Sequence, residues 1–67
     1  MRYRVVVEAN GDRIQDLIRS IVPNAFLTQE RGQSMMQVGA FSDRDNAESA
    51  VRMLNQNGLR AIIRNIR

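Results

Sequence analysis

Two halves of the chain repeat one pattern, and this internal repeat constrains the fold more than any other feature of the sequence. Each half begins with a run rich in β-branched residues, continues with apolar residues at helical spacing, and ends in a second strand-like run. Four residues of the first half recur in the second at one constant offset: Val7, Ala9, Asp12 and Arg13 match Val38, Ala40, Asp43 and Arg44. The repeat therefore predicts the element order β-α-β-β-α-β over residues 1–67, as one domain of two halves, about 1–31 and 32–67.

Helical spacing places the two predicted helices. The apolar residues that recur at i, i+3, i+4 and i+7 are Ile14, Leu17, Ile18 and Ile21 in the first half, and Ala47, Ala50, Val51 and Leu54 in the second. Asp12, with Gln15 three residues later, resembles a capping box, and Asp43 is the expected cap of the second helix. The predicted fold class is α+β, a ferredoxin-like four-stranded antiparallel sheet with two helices on one face.

Side-chain alternation along the strands predicts two different sheet faces. Residues expected to point toward the helices are Tyr3, Val5, Val7, Met36, Val38, Ala61 and Ile63. The first and third strands should be central, with the fourth strand beside the first. We call the other side of the sheet the open face. At its centre we expect an amphipathic group of residues: Val6, Met35, Gln37 and Ile62. Beside this centre we expect an arginine stripe, formed by Arg2, Arg4, Arg60 and Arg64.

One glycine inside a predicted strand has two interpretations. Gly39 lies in the third strand, where a glycine marks either a β-bulge or a place where a ligand approaches the backbone closely. The sequence favours neither interpretation over the other.

The composition argues against catalysis and against metal binding. The chain has no His and no Cys, which excludes zinc fingers, Cys/His nucleophile pairs and Ser-His-Asp triads. The acidic residues Asp12, Asp16, Asp43 and Asp45 lie in first helical turns, where they offset the helix dipole. We therefore expect a non-catalytic binding module with no catalytic residue, no metal and no cofactor.

The charge and the open face narrow the class of partner. Ten arginines oppose seven acidic residues, and a net charge of +3 favours anionic partners only mildly. RNA recognition motifs share this element order but stack bases on aromatic residues of the first and third strands. The corresponding positions hold Val6, Met35 and Gln37, so no nucleic-acid partner is expected, and an RRM-like RNA binder is the less favoured alternative. Apolar residues on the open face also fit a protein–protein contact or a weak homodimer, an alternative that stays open.

A more specific motif spans the third predicted strand and the second helix. It reads QVGAFSDR at 37–44, NAE at 46–48, Leu54 and NGL at 57–59. This motif resembles the SPOR domain, the sporulation-related repeat of bacterial envelope proteins, and the length and element order agree with that family. No transmembrane segment is expected in this chain, since it has no run of 18 apolar residues.

The resemblance implies binding to peptidoglycan, in particular to glycan strands denuded of their stem peptides by amidases. Such strands accumulate at the septum during cell division. The chain would then belong to a larger secreted or membrane-anchored bacterial protein, in the periplasm or cell envelope. Carried over from the family, the binding residues are Gln33, Ser34, Met35 and Gln37 on the third strand, and Arg4 and Val6 on the first. The open face adds Arg60, Ile62 and Arg64 of the fourth strand as candidate ligand contacts.

Overall fold

The computed structural model describes residues 2–66 and has the predicted element order. The elements are β1 (Tyr3–Glu8), α1 (Asp12–Ile21), β2 (Phe26–Glu30), β3 (Gln33–Phe41), α2 (Arg44–Gln56) and β4 (Ala61–Asn65). The strands form one antiparallel sheet in the order β2-β3-β1-β4. The α+β fold class and the strand order are thus confirmed. Within residues 2–66, neither helix has the length and apolar character needed to cross a membrane.

The hydrophobic core lies between the sheet and the two helices. Val5, Val7 and Met36 of the sheet pack with Ile18 of α1 and Leu54 of α2, and all five side chains are fully buried. The remaining residues expected to face the helices also belong to this core or pack against it: Tyr3, Val38, Ala61 and Ile63. The period of two in the strands and the period of 3.6 in the helices therefore predicted most of the core. The exception is Leu17, which has the helical spacing of the core residues of α1 but is 45% exposed.

A β-bulge interrupts the alternation of β3. Val5 pairs with Gly39 and Val6 pairs with Gln37, which leaves Val38 as an extra residue on β3. A Cβ at Gly39 would lie 2.9 Å from a ring atom of Phe41, so this ring occupies the space above the glycine. Of the two interpretations of Gly39, the bulge is therefore confirmed, and the close neighbour is a side chain of the same strand.

The two helices begin differently although their sequences repeat. The carboxylate of Asp43 accepts a hydrogen bond from the backbone N–H of Asp45 at 3.2 Å, which confirms the predicted cap of α2. The capping box at Asp12 was wrong. Helix α1 begins at Asp12 itself, its N-cap is Gly11, and no side chain caps it. Gln15 Nε2 donates instead to the backbone carbonyl just after β1, at 3.1 Å, and ties the helix to the strand.

A two-residue turn joins β2 to β3. Arg31 and Gly32 both have positive φ values, 53° and 79°, as a type I′ hairpin turn requires. This turn type matches the right-handed twist of the flanking strands, and it leaves Glu30 and Gln33 as the last pair of the hairpin. The turn therefore fixes where Glu30 projects from the sheet.

Candidate functional site

A row of four side chains crosses the centre of the open face. Phe26 pairs with Gln37, Gln37 pairs with Val6, and Val6 pairs with Ile62, so each of the four strands contributes one residue. Gln37 directly follows Met36, whose side chain lies in the helix-side core, and alternation therefore directs this row away from the helices. The row has a polar amide between apolar neighbours.

The middle of the open face is covered rather than exposed. Val6 and Met35 are only 0% and 2% exposed, although neither belongs to the core beneath the helices. They form a buried floor on the open face, which differs from the expectation that both would contact a ligand directly. The accessible apolar surface comes instead from Phe26 and Ile62, which are exposed at the two edges of the sheet.

Two arginines of the open face hold a carboxylate between them. Arg4 and Arg64 pair across β1 and β4, and we call them the arginine pair. Arg64 Nη2 lies 3.0 Å from Glu30 Oε1, and Arg64 Nε donates to the same oxygen at 3.1 Å. Arg4 Nη2 lies 3.1 Å from Glu30 Oε2. The arginine pair therefore holds an anionic group between two guanidinium groups, one on each carboxylate oxygen.

These ion pairs require the sheet to curl. Glu30 pairs with Gln33 at the end of the hairpin, whereas Arg4 pairs with Ala40, seven residues further along β3. In a flat sheet, the positions of Glu30 and Arg4 would be separated by about 20 Å along the strand direction. The sheet must therefore be twisted or bent so that the end of β2 approaches the paired arginines of β1 and β4 across the open face. Met35 lies on β3 between Gln33 and Ala40, and it is 2% exposed.

The ion pair between Glu30 and Arg4 lacks the hydrogen bond that the ion pair between Glu30 and Arg64 has. Arg4 Nη2 is within ion-pair distance of Glu30 Oε2, but the angles do not satisfy a hydrogen bond. Among residues 2–66, this buried oxygen has no hydrogen-bond partner. Charge attraction alone holds it there, and a better-placed donor would stabilise it further.

The other predicted site residues are distributed over the sheet. Gln33 is exposed at the end of the hairpin, opposite Glu30. Ser34 lies on the helix side of the sheet, because it precedes the buried floor residue Met35, and its Oγ accepts a hydrogen bond from Gln29 Nε2 at 3.2 Å. Ser34 is thus turned away from the open face.

The four arginines of the predicted stripe do not lie side by side along the sheet. The Arg60 carbonyl accepts a hydrogen bond from the backbone N–H of Glu8, which places Arg60 at the far end of the sheet from Arg64. Ile62 lies between them on β4. The backbone carbonyl of Arg2 accepts from Ile66 at the opposite end. Arg4 and Arg64 are therefore the two arginines that the fold brings directly together.

Two residues of this face were not predicted from the sequence. Phe26 lies on the open face and is 53% exposed, and Glu30 reaches the arginine pair from the end of β2. Alternation along β2 places Phe26, Thr28 and Glu30 on one side of the strand and Leu27 on the other. Because both sides carry an apolar residue, the sequence does not indicate which side faces the helices. The pairing register supplies that information.

Comparison with known protein families identifies the chain. The family model of the SPOR domain matches residues 30–67, which is more than half of the sequence. The chain belongs to the SPOR domain family. Peptidoglycan binding is the known role of this family, whose members occur in bacterial envelope-associated proteins. Comparison with curated proteins and with solved structures found no match.

The matched segment contains only part of the open face of this SPOR domain. Glu30, Gln37, Ile62 and Arg64 lie within the matched residues, whereas β1 with Arg4 lies outside them. Antiparallel pairing of β1 with β3 and β4 completes the face.

Proposed function

We propose that this SPOR domain binds glycan strands of peptidoglycan that lack stem peptides, and that it does so through the open face. Binding would hold the parent protein at the bacterial cell envelope, in the periplasm and at the division septum, without any chemical reaction. One observation carries the proposal: the arginine pair, Arg4 and Arg64, already surrounds a carboxylate on that face.

The chemistry of a denuded strand suits the arginine pair. Removal of a stem peptide frees the lactyl carboxylate of each N-acetylmuramic acid, which turns the glycan into a polyanion with evenly spaced charges. Guanidinium groups bind carboxylates bidentately and stay protonated at any physiological pH. The net charge of +3 adds a weak long-range attraction. The arginine pair therefore discriminates a denuded strand from one whose lactyl groups are still amide-linked.

The central row supplies contacts to the sugars themselves. The Gln37 amide both donates and accepts hydrogen bonds, which suits N-acetyl and hydroxyl groups. Phe26 and Ile62, exposed on either side of it, offer apolar surface to the C–H faces of the sugar rings. An intact stem peptide would keep the glycan from approaching the sheet closely at this row, and this clash adds steric selectivity.

The aromatic contact gives a matched pair of variants on one strand. Phe26→Ala is expected to weaken binding of denuded glycan oligosaccharides about fivefold, since an aromatic contact contributes roughly 1 kcal/mol. Leu27→Ala is the control, because Leu27 is 45% exposed on the same strand but alternates to the other side of the sheet. Isothermal titration calorimetry measures both affinities. Equal affinities for the two variants would show that Phe26 does not touch the glycan.

A weak homodimer through the same face is the competing role for Phe26 and Ile62. Sedimentation equilibrium at the concentrations used for calorimetry distinguishes the two. The glycan proposal expects a monomer in the absence of ligand. A dimer that Phe26→Ala dissociates would assign the exposed apolar residues to self-association instead.

A further inference from the structure

The Glu30 carboxylate lies where an anionic ligand of the open face would bind. It is paired with both members of the arginine pair, at 3.0 Å and 3.1 Å, and its side chain is 15% exposed. Any carboxylate that approaches Arg4 and Arg64 must therefore compete with Glu30 for the same guanidinium groups.

We propose that Glu30 is an internal competitor that determines the specificity of the open face. A ligand carboxylate enters by exchange: it replaces Glu30 between Arg4 and Arg64, and the end of the β2–β3 hairpin moves away from the face. This inference rests on the proposed binding of denuded glycan and specifies how that binding begins.

Several features make Glu30 replaceable. Its Oε2 has no hydrogen-bond partner within residues 2–66, so half of the carboxylate is held only by charge. The side chains of Arg4 and Arg64 are still 31% and 47% exposed, so a ligand can reach both guanidinium groups while Glu30 is bound. Glu30 also ends β2, an edge strand that pairs with β3 alone. The end of β2 can therefore move away from the face without disrupting the core, while the Ser34 carbonyl keeps its hydrogen bond from the backbone N–H of Ala9.

The exchange explains how a modestly charged face could be selective. A neutral sugar cannot replace Glu30, because the departure of Glu30 would leave two guanidinium groups without a counter-charge. A free lactyl carboxylate replaces the charge directly. We expect the exchange also to expose Met35, which is buried on β3 between Gln33 and Ala40, the partners of Glu30 and Arg4, and would then provide apolar surface for the sugar. Glu30 thus couples the recognition of charge to the exposure of the floor.

The test compares two substitutions that change the net charge equally. Glu30→Gln keeps the size of the side chain and an oxygen that accepts from Arg64, but it removes the competing charge. Glu48→Gln is the control, because Glu48 forms an exposed ion pair with Arg44 on α2 and lies away from the open face. Titration with denuded glycan oligosaccharides is expected to give about fivefold tighter binding for Glu30→Gln. Glu48→Gln should stay within twofold of the unmodified domain.

The possible outcomes separate this inference from the proposed function. If neither the unmodified domain nor any variant binds the oligosaccharides, the proposed function fails. If the unmodified domain binds and Glu30→Gln binds equally or more weakly, Glu30 is not a competitor and this inference alone is overturned. Glu30→Asp, which keeps the charge but shortens its reach, should also bind more tightly, and it guards against a folding defect in the first variant.

A second measurement follows the hairpin directly. The backbone amide of Gly32, at the hairpin turn, is observed by NMR in the unmodified domain with and without saturating oligosaccharide. Its chemical shift in the bound state is expected to move toward that of ligand-free Glu30→Gln, in which the charge attraction between the hairpin end and the arginine pair is removed. A Gly32 signal that does not move on saturation would contradict the exchange.

Discussion

Replacing Arg4 and Arg64 together with Gln is expected to lower the affinity for denuded glycan about a hundredfold. Each charge-assisted hydrogen bond contributes roughly 1.5 kcal/mol or more, and about 1.4 kcal/mol corresponds to a factor of ten. Each single substitution should therefore cost about tenfold. The measurement is calorimetric titration at low salt, and the affinity of the unmodified domain should itself decrease as salt rises.

The control for this prediction is a double variant with the same loss of charge. Arg13 and Arg52 lie on the two helices, on the other side of the sheet, and both are exposed. Arg13→Gln/Arg52→Gln is expected to change the affinity less than twofold, since only the weak long-range attraction is lost. If both double variants lose affinity equally, the net charge and not the arginine pair is responsible. An unchanged affinity in Arg4→Gln/Arg64→Gln would place the binding site elsewhere.

The largest effect on stability is expected from Ile18→Ala. Ile18 is fully buried and anchors α1 to the core. Truncating a buried isoleucine to alanine removes transfer free energy and leaves a cavity, at a cost of about 3 kcal/mol. A domain of this length has an unfolding free energy of roughly 3–10 kcal/mol, so the variant loses a large fraction of its stability.

Urea denaturation measures this loss, and the neighbouring residue supplies the control. Leu17 directly precedes Ile18 but is 45% exposed, so Leu17→Ala should change the free energy of unfolding by less than about 0.5 kcal/mol. Comparable losses for the two variants would mean that α1 does not dock through Ile18.

The sequence predicts the layout of this fold because its apolar pattern is regular. A period of two in the strands and of 3.6 in the helices was enough to assign Val5, Val7, Met36, Ile18 and Leu54 to one core. The repeat gave the order of the elements, and the order limited the sheet to few arrangements.

The open face was less predictable, because it depends on geometry between distant strands. Alternation correctly placed Val6 and Met35 on that face, but it carries no information on how deeply a side chain is covered there, and both are buried. The ion pair between Glu30 and Arg64 joins residues 34 positions apart, and an isolated acid beside a turn gives no sign of such a partner. Phe26 was missed because β2 has apolar residues on both sides.

The repeat was also misleading at one place. Asp12 and Asp43 are equivalent in the two halves, yet only Asp43 caps a helix. Helix α1 begins one position earlier in the repeat than α2, since Gly11 takes the N-cap position and Asp12 becomes the first helical residue. A shift of one residue moves the carboxylate out of reach of the free N–H groups. Equal residues at equivalent positions therefore need not have equal roles.

The central claim is that the domain selects glycan strands without stem peptides, and a pull-down from purified sacculi tests it most directly. The domain is incubated with intact sacculi, with amidase-treated sacculi, and with amidase-treated sacculi from which a second enzyme has removed the denuded strands. The account predicts strong retention on the amidase-treated sacculi and low retention on the other two. Equal retention on all three would contradict it.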